Sequence, residues 1–193
     1  STAYDVSTIS YDNVSLDISG GSVYAQTNNV WGMRWNNDGT KLFVLCRDRD
    51  DVVAYDLSSA YDIRTGSYNS EVFDATSHDT SPSGLFFKPD GMKMYIVGYQ
   101  NATVFQFSLS SAFDVSNVSY DSVSFSVSSQ DSTPDEVEFS PDGTKMFILG
   151  DATDTIYQYT LSTPWNVSTA SYDNISLAAT ESKPRQITFE NNG

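Results

Sequence analysis

Glu136 and Glu138 stand two apart in the run Glu136-Val-Glu-Phe139, directly after Asp135. In an extended chain alternate residues share a face, so the two glutamates point the same way. Paired carboxylates are the acid–base equipment of glycoside hydrolysis when their surroundings differ. A hydrolase acting on carbohydrate or lactone through Asp135, Glu136 or Glu138 is therefore one function class. No second, differently solvated carboxylate is recognisable in the sequence to complete such a pair.

Other residues suit binding rather than bond breaking. Trp31 beside Gly32 offers a stacking platform, Arg185 and Gln186 occupy the corresponding position of a later repeat, and Arg47 and Tyr99 begin loops on the same rim. With Asp135 and Glu136 they form the candidate ligand-binding set. Asp48, Asp50 and Asp51 in one loop, and Asp151 and Asp154 in another, are the candidate metal ligands, because Ca²⁺ wants several oxygens. Neither loop has the spacing of a helix-loop-helix calcium site, and a solvated acidic loop is the favoured reading. The cofactor expectation is none, with Ca²⁺ as the one candidate. His78 is the sole histidine. No Gly-x-Ser-x-Gly elbow, His-Glu-x-x-His or phosphate-binding glycine loop accompanies it.

The elements that must position these residues come from a repeat. Lys88-Pro-Asp-Gly91-Met-Lys93-Met-Tyr95 recurs 52 residues later as Ser140-Pro-Asp-Gly143-Thr-Lys145-Met-Phe147, with a looser copy at Asp38-Gly39-Thr-Lys41 and another turn at Glu190-Asn-Asn-Gly193. Tyr4, Tyr61, Phe113 and Trp165 keep the same beat, each followed by Asp or Asn. Strand-like units repeating near 50 residues mean propeller blades. Within one blade, Glu136–Phe139 alternates and Pro141-Asp-Gly143 turns the chain. Lys145–Gly150 is a continuous apolar run suited to a strand buried on both faces, and 155–161 and 172–178 alternate again. Calling the strands A to D outward, the expectation is an all-β propeller of four-stranded antiparallel blades. A lone D strand falls within 1–30, near 11–18. Blades follow at 31–82, 83–134 and 135–183, and a final A strand falls within 184–193. The Asp-Gly-x-Lys turns and recurring aromatics read as structural because every blade has them. The variable D–A and B–C connections on one rim carry specificity.

Composition narrows the partners. The 193 residues carry 25 Asp and Glu against 10 Lys and Arg, a net charge of −15. That field repels nucleic acid and anionic membrane. Cys46, the only cysteine, ends an apolar run and reads as a buried inert thiol. No apolar stretch is long enough to span a membrane, and no leader pattern is present. The chain opens at Ser1 and stops within a repeat. The readings of that are a fragment of a longer propeller, assembly in trans through the terminal half-blades, or a small closed form.

The unit seen in Phe87-Lys-Pro-Asp-Gly-Met-Lys-Met-Tyr-Ile96 and Phe139-Ser-Pro-Asp-Gly-Thr-Lys-Met-Phe-Ile148 resembles the blade signature of WD40-like, TolB-type and lactonase-like propellers. The fuller unit, through Gln158 to Tyr172, resembles uncharacterised propeller repeats of marine phage and bacteria. The resemblance covers essentially the whole chain and implies the fold. The Gly-His and Trp-Asp pairs of WD40 proteins are absent, and so is the histidine and metal-binding carboxylate arrangement of propeller lactonases. The resulting expectation is a non-catalytic, lectin-like binding or adhesion module, extracellular, cell-surface or virion-associated, that recognises glycan or protein. The alternatives are the hydrolase above and an architectural spacer.

Overall fold

Alternating and apolar runs become strands where a neighbour can take their backbone hydrogen bonds. The computed structural model describes residues 10–18, 29–180 and 182–189. Tyr4 and the Glu190–Gly193 turn lie outside them. Among the described residues there are twelve strands in three four-stranded antiparallel sheets. The first holds β1 (Val30–Trp35), β2 (Lys41–Cys46), β3 (Asp51–Leu57) and β4 (Gly66–Asp74). The second holds β5 (Pro82–Phe87), β6 (Lys93–Gly98), β7 (Thr103–Leu109) and β8 (Val118–Ser126). The third holds β9 (Pro134–Phe139), β10 (Lys145–Gly150), β11 (Thr155–Leu161) and β12 (Ala170–Ala178). Each sheet runs in simple sequence order, as an all-β chain of blade-like units requires.

The repeated turn and the repeated aromatic form one device. Gly39, Gly91 and Gly143 have φ near +72°, a left-handed conformation that favours glycine. The rings of Tyr61, Phe113 and Trp165 lie against them, where any Cβ would stand. Each aromatic N–H also donates to the carbonyl of its glycine, at 2.8, 2.9 and 3.0 Å. Asp38, Asp90 and Asp142 accept the N–H two residues on, at 3.0 Å in each turn. The lysine after the turn reaches the outer strand instead: Lys41 pairs with Glu71, Lys93 with Asp121 and Lys145 with Asp173.

Successive sheets bury apolar faces against each other. Phe43, Leu45 and Val52 of the first meet Leu85, Phe87 and Met94 of the second. Tyr95, Val97 and Val104 of the second meet Val137, Phe139 and Met146 of the third. Phe43 on Phe87 and Tyr95 on Phe139 repeat one contact, with ring centroids 4.5 Å apart both times. The inner strands β1, β5 and β9 lie side by side. Cys46 is buried, and its thiol is pushed up to about 12 by burial.

Two expected strands are not seen among the described residues. Residues 11–18 and 184–189 carry no ladder. A ladder needs a neighbouring strand to take N–H and C=O groups in register, and neither segment forms one with a described strand, although the Ile18 carbonyl accepts from the Tyr55 hydroxyl at 3.0 Å. Both nevertheless pack where blade strands would. Leu16 and Ile18 lie on the outer face of the first sheet, and Phe189 sits 4.5 Å from Phe147 as the third instance of the inter-sheet contact.

Candidate functional site

Each inner strand breaks register once, between Val30 and Gly32, between Pro82 and Gly84, and opposite Leu149 and Gly150. The extra residues are Trp31, Ser83 and Asp135. A bulge leaves its extra residue unpaired and re-aims its side chain. In the second sheet this gives structure, since Ser83 Oγ donates to the Pro134 carbonyl at 2.7 Å. In the first and third it delivers Trp31 and Asp135 to one rim.

Five of the expected ligand-binding residues meet there. The Arg47 guanidinium lies 3.8 Å from the Trp31 ring centroid and 4.3 Å from that of Tyr99, and its Nε donates to Ser81 Oγ at 2.6 Å. Trp31 and Tyr99 stand edge to face at 5.9 Å. Arg185 approaches the Trp31 ring at 4.9 Å. Its Nη1 lies 2.9 Å from Asp135 Oδ2 and 3.5 Å from Asp151 Oδ1. The Tyr99 hydroxyl donates to Asp151 Oδ2 at 3.3 Å. Burial is the main influence on Asp135, whose carboxyl is raised to about 6 although Arg185 pulls the other way.

Glu136 belongs to a second constellation, lower on the same strands. Arg34 Nη2 of β1 lies 3.1 Å from Glu136 Oε2 and 3.1 Å from Glu138 Oε2 of β9, reaching past the intervening β5. Gly84 of β5 makes the crossing possible, because a Cβ there would come within 2.7 Å of both Glu136 Cα and Oε1. Desolvation raises both glutamates to about 7 against the pull of Arg34. Glu136 is 2% exposed and Glu138 9%. Glu138 and Arg34 open onto a cavity of about 320 Å³, with Trp35, Phe86, Phe113, Gln186 and Thr188 also in its wall. Its wall is mixed, with aromatic rings beside convergent polar groups, two of them carrying or holding a shifted carboxyl, which are features of a small-molecule site.

The shared face of Glu136 and Glu138 is as the alternation requires, while Gln186 joins the cavity rather than the rim. The proposed metal ligands are not gathered. Asp48 accepts from Asn29, Asp51 pairs with Arg49, Asp154 accepts the Lys183 N–H, and Asp50 sits in a left-handed turn at φ 57°. No group of three or more His, Cys, Asp or Glu placed to hold a metal occurs among the described residues. Asp151 instead serves the Arg185 cluster. His78 packs on Phe105, Phe107 and Tyr120, with its pKa lowered by burial. Sequence reasoning missed Arg34. Aligning the inner strands shows its signal: Arg34, Phe86 and Glu138 occupy one repeat position, where opposite charges invite pairing across a blade.

No protein-family model matches the sequence, and no curated protein matches it. Solved structures do. A provisionally assigned 6-phosphogluconolactonase from Bacteroides uniformis aligns at 16% identity and TM-score 0.61, over 90% of this chain and 48% of its own. A second, from Bacteroides fragilis, aligns at 14% and 0.56, over 80% and 40%. The periplasmic gluconolactonase of Pseudomonas aeruginosa aligns at 15% and 0.53, over 86% and 45%. The chain spans under half the length of each of these neighbours. They share a propeller-like fold with it, and none of the three is a WD40, TolB-type or phage protein. Their names run against two expectations, that the chain is a non-catalytic adhesion or lectin-like module and that it is not an enzyme. Both expectations are set aside.

Proposed function

We propose that the chain is part of a hydrolase that opens lactone rings in the cavity beside Glu138. The observation that carries this is the Glu138–Arg34 pair, a carboxylate raised to about 7 and a guanidinium in one cavity with aromatic and polar walls. A base titrating near neutrality is matched to removing a proton from water as it attacks a carbonyl carbon. Arg34 Nη2 is committed to the glutamates and Nη1 donates to the Met33 carbonyl at 3.2 Å. Its remaining N–H groups can donate to the carbonyl oxygen as negative charge develops there. The ring oxygen then leaves as an alkoxide and takes the proton. Ring opening needs one base and one oxyanion donor. Glycoside hydrolysis needs two carboxyls flanking the bond, and Glu136 is too buried to reach one. The lactonase names among the structural neighbours support the same class.

A panel of five- and six-membered sugar lactones, with oligosaccharides beside it, tests the reading. Lactone turnover lost by at least 100-fold in Glu138→Gln, with the variant still folded at the assay temperature, is the expected outcome. Oligosaccharide cleavage, or full activity in Glu138→Gln, would count against it.

A location outside the cytoplasm fits the periplasmic neighbour, and no helix among the described residues is long and apolar enough to cross a membrane. The open face of the third sheet, with Leu177 67% exposed beside Ile175 and Phe189, is proposed to be covered by a further blade of this kind, brought by a second copy of the chain.

A further inference from the structure

We propose that the rim cluster is a recognition site for a guanidinium group, occupied here by the chain's own Arg185. Asp135 is the central observation. Its side chain is 1% exposed, and its Oδ1 has no hydrogen-bond partner among the described residues. Arg185 gives it one nitrogen at 2.9 Å and turns the same nitrogen toward Asp151 at 3.5 Å. A guanidinium can offer a carboxylate two parallel N–H bonds, so the present contact leaves an acceptor unused. The walls suit the same group. Trp31 presents its ring at 4.9 Å, and planar cations are held by aromatic faces. The Tyr99 hydroxyl fixes Asp151, while Arg47 is pinned by Ser81 and held against both rings.

The occupant is built to be exchangeable. Arg185 is 50% exposed on its side chain and belongs to residues 184–189, which carry no ladder hydrogen bonds. The carboxylates it covers sit on and beside β9, inside a bonded sheet. Replacing Arg185 by an incoming guanidinium conserves the charge of the cluster, and the net charge of −15 draws cations toward it. The ligand is either a small guanidine or an arginine side chain of a protein. This site stands apart from the Glu138 cavity and does not depend on its chemistry.

Agmatine titrated into the wild-type chain and into Arg185→Ala, followed by tryptophan fluorescence and calorimetry, tests it. Agmatine should bind Arg185→Ala at least tenfold more tightly than wild type. Putrescine, which carries ammonium groups alone, should bind at least tenfold more weakly than agmatine. Adding Asp135→Asn should abolish the gain. Arg185→Gln replaces the alanine variant if that one does not fold, with the same expected gain. A blocked Ala-Arg-Ala tripeptide that binds more tightly than agmatine identifies a protein source, and one that binds more weakly identifies a small guanidine. Equal affinity of variant and wild type, putrescine matching agmatine, or binding that survives Asp135→Asn would overturn the proposal.

Discussion

Arg34 is the residue on which the cavity depends, because it is the cation shared by two carboxylates that burial would otherwise neutralise. Removing one partner of a buried pair leaves an uncompensated charge, at a cost of about 3 kcal/mol. The cost here depends on pH. Near pH 5 both glutamates hold protons with or without Arg34, whereas near pH 9 they are charged and need it. Arg34→Ala should therefore lose about 3 kcal/mol in urea unfolding at pH 9 and far less at pH 5. Equal losses at both pH values would contradict the shared-cation description. Glu136 and Glu138 were legible from alternation alone. Their cation was not, because residues 34 and 138 come together only after two inter-sheet packings have formed.

At the scale of elements, the spacing of the three inner strands is set by Gly84. A Cβ there meets the backbone of Glu136, which cannot swing away as a side-chain end could. Gly84→Ala should cost about 1–3 kcal/mol from overpacking. It should also lower lactone turnover more than it lowers the fraction folded at 25 °C, since it displaces β9 and its glutamates. A variant with wild-type melting and turnover would show that the strands have slack. The twelve strands, their turns and the corner aromatics were readable because each is a local pattern stated three times. The bulges at Trp31 and Asp135 were not, since a single added residue leaves apolar alternation almost intact. The strands expected near 11–18 and within 184–193 form no ladder among the described residues for a related reason: pattern gives a strand its face, and only a partner gives it a ladder.

For the whole molecule, raised and lowered carboxyls set opposite slopes of stability with pH. Glu136 and Glu138 rise from an ordinary 4.5 to about 7, and Asp135 from 3.8 to about 6. Between those values the folded state holds protons that the unfolded state has released, so stability falls as pH rises toward 7 and levels off above it. On the acid side Asp142, held near 2 by hydrogen bonds from Ser140 and Thr144, gives stability that is lost as pH falls below its ordinary 3.8. The melting temperature should peak between these two windows, and Glu138→Gln should flatten the upper slope. A peak at or above pH 8 would contradict the assignment of these groups. The exposed Leu177 face should also make the mass seen by light scattering rise with concentration, and Leu177→Asp should hold it at the monomer value. A monomer at every concentration in the wild type would leave that face without its proposed partner. Glu138, held by Arg34, is proposed as the base of a lactone hydrolase, and the pH dependence of kcat/KM reports its titration. A rising limb through about 7 is expected, and it should move to higher pH in Arg34→Met, because loss of the cation raises the carboxyl further. A limb that stays in place when Arg34 is replaced, or lactone turnover that is absent altogether, would contradict it.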